Sequence, residues 1–272
     1  MKLFIIGLLL VTSAFADYAP VNGIKMYYEV HGKKDGVPLV LLHGGGSTIE
    51  ITWSKVLPLF AKNRKVIAIE EQGHGRTSDR DAPVSFETSA DDVITLLKHL
   101  NIPQADIFGF SNGASVAMNV AIKDPARVRK LIFASNITKK SGGHDWFWDF
   151  INNKANYENM PQQLKDAFLK VNPDPRKLRV MHDKDLARMR NWKDMDDKEV
   201  SKVKAQTLIL IGDKDLTKPE HAVELTHLIP NSRLMIVPGG HGDYLGEAIG
   251  HRPGSRSPEY VAGLIEEFLR LP

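Results

Sequence analysis

Short hydrophobic runs alternate with helix-like periodicity along most of this chain. Several of the runs are apolar throughout, which is typical of strands that are covered on both faces of a sheet. Between them, residues such as Val93, Leu97 and Leu100 recur at helical spacing. This alternation predicts βαβ units and a mostly parallel sheet. The predicted strands are 18–21 and 24–30, which form a hairpin, and then 37–42, 65–69, 105–110, 130–134, 207–211 and 233–237.

A long stretch without strand-like runs interrupts this alternation. Within residues 137–204, Leu164 and Phe168 lie at helical spacing after a proline, and a second helical pattern follows them. Both ends of the stretch return to the same predicted sheet, so we interpret it as a helical cap, or lid, and not as a separate domain. The predicted organisation is a core of residues 17–136 and 205–272 with a cap of residues 137–204.

The N-terminus has the pattern of a secretory signal peptide. Lys2 precedes a nine-residue apolar run, 3–11, and Ala14 and Ala16 form a small-x-small cleavage site. A membrane-spanning helix would need about 20 apolar residues, roughly twice this run. We therefore expect cleavage of residues 1–16, a mature chain that starts near Asp17 without a stable membrane anchor, and a secreted or periplasmic location.

Composition narrows the chemistry. The 272 residues carry a formal net charge of +3, which is too small to argue for a nucleic-acid partner. Cysteine is absent, which excludes disulfides, thiolate metal sites and cysteine nucleophiles. The hydrophobic share of 42% is that of an ordinary globular protein with a substantial core.

The strongest chemical signal is the sequence Gly-Phe-Ser-Asn-Gly at 109–113. It follows a predicted strand and precedes a helix of small residues, which is the context that the G-x-S-x-G motif of a nucleophilic serine requires. A nucleophile on so sharp a turn needs small neighbours, because the chain must reverse direction there. We interpret Ser111 as a nucleophile; the alternative is a serine buried in a turn.

A second signal is the sequence His-Gly-Gly-Gly-Ser at 43–47, at the end of another predicted strand. Glycine-rich backbone can bring free N–H donors close to an oxyanion, which a serine attack on an acyl carbon creates. We expect the N–H groups of Gly45 and Asn112 to form this oxyanion hole. A phosphate-binding loop is the rival, but the sequence has neither the Walker pattern nor the dinucleotide-binding pattern.

Together these motifs resemble those of the α/β-hydrolase superfamily, of the lidded, esterase-like serine-hydrolase kind. The resemblance covers nearly the whole mature chain. It implies an eight-stranded, mostly parallel sheet flanked by helices, with the cap inserted after the sixth strand. In this family the nucleophile is followed along the chain by the acid and then by the histidine.

The resemblance also implies the partners of Ser111. Asp213 and Asp215 follow the strand predicted at 207–211, and the second position usually supplies the acid, so Asp215 is preferred. Of the ten histidines, His241 follows the last predicted strand and takes the role of general base. Ser111, Asp215 and His241 would thus form a catalytic triad that needs no cofactor and no metal.

A further stretch resembles a family motif whose leading acid is changed. Residues 70–78 match the glycines of an Asp-x-x-Gly-x-Gly-x-Ser-like turn, but a glutamate, Glu70, replaces the leading aspartate. We expect this segment to pack beside the active site without taking part in the chemistry.

The cap suggests the substrate. Four aromatic residues lie within five successive positions of the cap: Trp146, Phe147, Trp148 and Phe150. We expect some of them to contact substrate. The alternative is that they attach the cap to the core. The favoured function is hydrolysis of a carboxylic ester, or lactone, of a small to medium apolar molecule. The alternatives are carbon–carbon bond hydrolysis or acyl transfer by the same triad, and a non-catalytic ligand-binding homologue.

Overall fold

The computed structural model describes residues 15–32, 35–250 and 252–271 of the chain. Within these residues, eight strands form a single sheet. The strands are β1 (Phe15–Val21), β2 (Ile24–Gly32), β3 (Leu39–Leu42), β4 (Lys65–Ile69), β5 (Ala105–Phe110), β6 (Val128–Ala134), β7 (Gln206–Gly212) and β8 (Ser232–Val237). Every predicted strand is therefore present, with ends that shift by a few residues.

The strand order in the sheet is β1-β2-β4-β3-β5-β6-β7-β8. The hairpin of β1 and β2 pairs antiparallel with β4, and the six strands from β3 to β8 run parallel. This confirms the predicted eight-stranded, mostly parallel sheet. Because the strands are parallel, the carboxyl ends of β3, β5, β7 and β8 meet at one edge, where their following loops can converge.

Ten α-helices connect and cover the described strands. They are α1 (Ile49–Trp53), α2 (Leu57–Ala61), α3 (Phe86–His99), α4 (Asn112–Lys123), α5 (Asp145–Asp149), α6 (Gln162–Val171), α7 (Pro175–Arg190), α8 (Asp197–Val200), α9 (Pro219–Leu228) and α10 (Ser257–Arg270). The helical spacing noted at Val93 and Leu97 belongs to α3, whose N-terminus is capped reciprocally by Ser85 and Thr88.

Two hydrophobic cores lie on opposite faces of the sheet. In β3, all four residues are buried, and successive side chains alternate between the cores: Val40 and Leu42 join one, and Leu39 and Leu41 join the other. Helices α3 and α4 contribute to the first core, and α2 and α10 to the second. This explains why the sequence of such a strand is continuously hydrophobic and not alternating.

The stretch between β6 and β7, residues 137–204, is here called the helical insertion. Its described residues form helices and loops, among them α5 to α8 and a π-helical turn at Phe150–Lys154. A third, smaller cluster packs the insertion against Ile51 of α1; its other buried members are Met160, Leu164, Phe168, Leu178 and Met181. The role of this insertion as a cap stays a prediction.

The predicted signal peptide, residues 1–16, lies outside the described residues except for Phe15 and Ala16, which begin β1. Across the described ranges, no helix combines the length and the hydrophobicity that a membrane crossing requires.

Candidate active site

Ser111 lies on a strained turn between β5 and α4. Its backbone angles are φ +53° and ψ −125°, a conformation that residues with a side chain rarely adopt. The flanking glycines are needed for space: a Cβ on Gly109 would lie 2.2 Å from the carbonyl oxygen of Gly113. On Gly113 it would lie 2.3 Å from the carbonyl oxygen of Leu42. The small residues of the motif therefore let α4 start directly against β3 and β5.

The loops after β5, β7 and β8 bring three of the predicted residues together. The Ser111 Oγ lies 3.1 Å from His241 Nε2, and His241 Nδ1 lies 2.7 Å from Asp215 Oδ1. Asp213 points elsewhere, since its Oδ1 accepts a hydrogen bond of 2.8 Å from the Gly239 N–H. The geometry thus places Asp215, and not Asp213, against the histidine.

The carboxylate of Asp215 has further hydrogen bonds. It accepts hydrogen bonds from the Leu216 N–H at 2.7 Å, from the Gly212 N–H at 3.2 Å and from the Ser135 hydroxyl. The Ser135 hydroxyl also lies 2.5 Å from the hydroxyl of the fully buried Tyr244. Ser135 and Tyr244 were not predicted, and the only sequence signal for Ser135 is its position directly after β6.

These contacts shift both titrating groups of the pair. Burial acts to raise the pKa of Asp215, but the charge of His241 and the hydrogen bonds outweigh burial and hold this pKa below its ordinary value. Burial likewise acts to lower the pKa of His241, and the charge of Asp215 outweighs it, so this pKa is raised. The arrangement therefore stabilises an imidazolium next to a carboxylate, which is what proton abstraction from Ser111 would require.

The loop after β3, residues 43–47, is here called the glycine loop and lies beside Ser111. Within the described residues, the N–H groups of Gly45 and Asn112 have no hydrogen-bond acceptor, so both remain available to a ligand. A side chain at Gly45 would not fit, because its Cβ would lie 2.4 Å from Asn112 Nδ2 and 2.8 Å from Asp185 Oδ2. The next N–H, that of Gly46, donates to Asp185 Oδ2 at 2.6 Å.

A cavity of about 290 Å³ opens onto Ser111 and His241 between the sheet edge and the helical insertion. Most of its other lining residues are apolar, and amide side chains provide most of the polarity. The lining includes Asn136, Ile137, Phe147, Phe150, Ile151, Ala155, Asn156, Asn159, Met160, Leu164, His182, Asp185, Leu186, Met189 and Leu216. Among the described residues that line it, none is a lysine or an arginine.

The structure corrects part of the predicted substrate contacts. Phe150 lines the cavity as expected, but Trp146 and Trp148 do not. Trp146 is 61% exposed, and the Trp148 Nε1–H donates to the Lys140 carbonyl at 2.8 Å while its ring packs on Trp192. Phe147 and Phe150 are three residues apart and share a face, whereas Trp148 directly follows Phe147 and points away from that face. Trp146 lies in the first turn of α5, where its ring stacks beside that of His144.

The segment 70–78 lies close to the glycine loop, as predicted. The rings of His74 and His43 are 5.0 Å apart between centroids, and His74 Nε2 lies 3.3 Å from Asp185 Oδ2. Glu70, the changed position of the motif, accepts the Arg76 N–H at 2.6 Å and is fully buried. Burial raises the pKa of Glu70 to about 7, despite the nearby Arg76. Its carboxylate thus closes the turn and does not face Ser111.

Comparison with known proteins agrees with this fold. The model of the alpha/beta hydrolase fold family matches residues 37–180 of this chain. The chain belongs to the α/β-hydrolase family. A crystal structure of a serine hydrolase involved in carbazole degradation superposes with a TM-score of 0.78 at 22% identity, covering 96% of this chain and 100% of that one. At this identity the likeness shows the fold alone.

Two curated relatives are similar over part of the chain. The 2-hydroxymuconate semialdehyde hydrolase of Pseudomonas sp. is 37% identical over 107 residues, which is 38% of each protein. The 3-oxoadipate enol-lactonase 2 of Acinetobacter baylyi is 29% identical over 132 residues, 48% of this chain and 49% of the relative. The matched segments span less than half of either relative.

Proposed function

We propose that this protein is an exported serine hydrolase that cleaves a carboxylic ester or lactone with an uncharged, mostly apolar acyl group. The observation that carries the proposal is the hydrogen-bonded chain from Ser111 through His241 to Asp215 at the base of the cavity. The enol-lactonase among the relatives supports the choice of a cyclic or open ester. In this proposal the helical insertion is the cap that shapes the acyl site.

The reaction proceeds through an acyl-enzyme. His241 Nε2 accepts the Ser111 proton while Oγ attacks the carbonyl carbon, and Asp215 stabilises the imidazolium. The carbonyl oxygen becomes an oxyanion, which accepts hydrogen bonds from the N–H groups of Gly45 and Asn112. Cleavage of the C–O bond releases the alcohol with the proton from His241. Water then attacks the acyl group, gives one proton to His241, and the acid leaves as that proton returns to Ser111 Oγ.

The cavity lining indicates the substrate class. A volume of about 290 Å³ with a mostly apolar wall suits a small to medium acyl group. A substrate carboxylate would be buried there without a lysine or arginine from the lining residues, and burying an unpaired charge is costly. Asp185, the acidic residue on the wall, adds to this discrimination.

Carbon–carbon bond hydrolysis is the second candidate. The relative with 37% identity is named for a semialdehyde and not for an ester, which favours a wider range of substrates for this site. The same serine and oxyanion donors could act on a ketone carbonyl. A diketone that is hydrolysed while activated esters stay inert would favour this alternative.

Export is part of the proposal. In β1 the buried side chains are Ala19 and Val21, whereas Phe15 and Ala16 are exposed at its start. Cleavage after Ala16 would therefore shorten β1 by only these two exposed residues and leave its buried side chains in place. Expression of the full chain in a bacterium, followed by mass spectrometry of the periplasmic protein, should give an N-terminus at Asp17. An intact N-terminus on cytoplasmic protein would contradict export.

A labelling and turnover experiment tests the chemistry. Wild-type protein should react with a fluorophosphonate probe and hydrolyse p-nitrophenyl butyrate, and Ser111→Ala should abolish both. The matched pair Asp215→Asn and Asp213→Asn separates the two carboxylates. Asp215→Asn should lower kcat by about 10⁴-fold, as expected when the histidine loses its orienting acid, and Asp213→Asn should retain most activity. Equal losses in the two variants would refute the assignment.

A further inference from the structure

A cluster of buried charges lies next to the glycine loop, outside the chain from Ser111 to Asp215. Arg188 and Asp185 stand one turn apart on α7, and Glu71 lies opposite them after β4. The side chains of Arg188 and Glu71 are each only 2% exposed, and that of Asp185 is 9% exposed. Charges so deeply buried are tolerated only when each finds a close partner.

The contacts form one continuous series. Arg188 donates to Glu71 Oε2 at 3.0 Å and, with its other terminal nitrogen, to Asp185 Oδ1. The second oxygen of Asp185 accepts the Gly46 N–H at 2.6 Å. This last bond joins the helical insertion to the glycine loop across 139 residues of sequence.

The same series also reaches the start of the loop. His43 Nε2 accepts the Glu71 N–H at 3.1 Å, and His43 Nδ1 lies 2.7 Å from the Gly44 carbonyl oxygen. Burial lowers the pKa of His43 to about 4, so its ring is neutral at physiological pH. A neutral ring with its proton on Nδ1 donates to Gly44 and accepts from Glu71, which satisfies both nitrogens.

The loop has little else to hold it in place. The Gly44 N–H is 3.5 Å from the Thr52 hydroxyl, a long hydrogen bond, whereas Gly46 has φ +63° and no side chain to pack. Glycines lose much conformational freedom on ordering, so three in succession need external contacts to stay fixed. The hydrogen bond from the Gly46 N–H to the Asp185 carboxylate is charge-assisted, and such bonds are about twice as strong as those between neutral groups.

We propose that Asp185, in the helical insertion, is a positioning residue that fixes the glycine loop. Asp185 binds Gly46 while Arg188 and Glu71 connect it to His43 at the other end of the loop. The N–H of Gly45 is thereby aimed at the oxyanion. The oxyanion hole is complete only while α7 is docked against the core, so substrates that disturb the docking of α7 are turned over slowly. This inference rests on the proposed function.

Kinetics with matched variants test the proposal. Asp185→Ala removes the acceptor, and Asp185→Asn keeps an amide oxygen that can still accept the Gly46 N–H. The control is Asp166→Ala on α6, an exposed aspartate of the same insertion whose side chain contacts Gln162. With p-nitrophenyl butyrate, Asp185→Ala should lower kcat on the order of 100-fold, the effect of losing one oxyanion donor, and change KM by less than about 3-fold.

A transition-state analogue separates positioning from general damage. An aryl trifluoromethyl ketone forms a tetrahedral oxyanion on a reactive serine, so its inhibition constant should rise in Asp185→Ala by the same factor as kcat/KM falls. Asp185→Asn should recover at least 10-fold of the loss, and Asp166→Ala should resemble the wild type. Unchanged kcat and inhibition in a folded Asp185→Ala protein would overturn the proposal, and so would a loss confined to KM.

Hydrogen exchange decides the proposal independently of turnover. In the resting protein, the amides of a peptide that covers 43–48 should exchange faster in Asp185→Ala than in the wild type, with little change in Asp166→Ala. Unchanged protection would overturn the positioning role. If the wild type neither hydrolyses esters nor reacts with the fluorophosphonate, the proposed function fails, and the exchange result still shows whether Asp185 fixes the loop.

Discussion

Two glycine-to-alanine substitutions test the steric argument for the serine turn. Gly113 lies in the first turn of α4, where a Cβ would be 2.3 Å from the Leu42 carbonyl oxygen and 2.5 Å from that of His43. Gly263 lies within α10, where a Cβ would meet nothing within 4 Å. The chemical change is identical, so any difference in stability comes from the surroundings.

The expected magnitudes follow from these distances. A carbon and a carbonyl oxygen come no closer than about 3.3 Å without strain, so Gly113→Ala must separate α4 from β3 by about 1 Å. Such overpacking costs about 3 kcal/mol when the neighbour is backbone, and the better helix propensity of alanine returns about 1 kcal/mol. Gly113→Ala should therefore destabilise the fold by about 2 kcal/mol. Gly263→Ala should stabilise it by about 0.5–1 kcal/mol.

Urea unfolding followed by circular dichroism gives the free energy of unfolding for both variants and the wild type. The shifts should have opposite signs. If Gly113→Ala is as stable as the wild type while Gly263→Ala behaves as expected, the close approach of α4 to β3 is not a constraint, and the reasoning is refuted. If both variants lose stability equally, the cost lies in the substitution itself and not in the turn.

Three further predictions concern the site. Ser111→Gly should be about 1 kcal/mol more stable than Ser111→Ala in thermal unfolding. Both variants lack the hydroxyl, and only glycine relieves the backbone strain at φ +53°. Equal stability of the two variants would show that the backbone at residue 111 is not strained. An NMR titration of His241 should give a pKa above about 6.5 that falls in Asp215→Asn, because the aspartate charge favours the protonated ring. Activity should accordingly be lost as the pH drops through this pKa, and an unmoved value would contradict the coupling. The p-nitrophenyl ester of butyrate should have a kcat/KM at least about 10-fold higher than the mono-p-nitrophenyl ester of succinate. Both acyl chains have four carbons, and only succinate buries a carboxylate in a cavity lining without a lysine or arginine. Equal values of kcat/KM would refute the charge argument.

The strands could be predicted, and the candidate residues at their ends could be located, because the signals for both are local. Four successive apolar residues indicate a strand such as β3. Glycines within two positions of Ser111 indicate the turn there. The choice of Asp215 over Asp213 depended on the resemblance to the family, because both carboxylates follow the same strand. The structure separates them by direction, one toward His241 and one toward Gly239.

The errors and omissions concern contacts that have no local signal. Four of the five residues at 146–150 are aromatic and they occupy several helical phases, so the sequence could not show that Phe147 faces the cavity and Trp146 the solvent. Asp185 is a stronger case, since a charged residue on a helix is ordinarily exposed. Only the fold reveals that its carboxylate accepts the N–H of Gly46, 139 residues away. Sequence reasoning thus finds candidate reacting residues by their local signals, whereas the residues that contact the loops around them are brought there by the packing of distant elements.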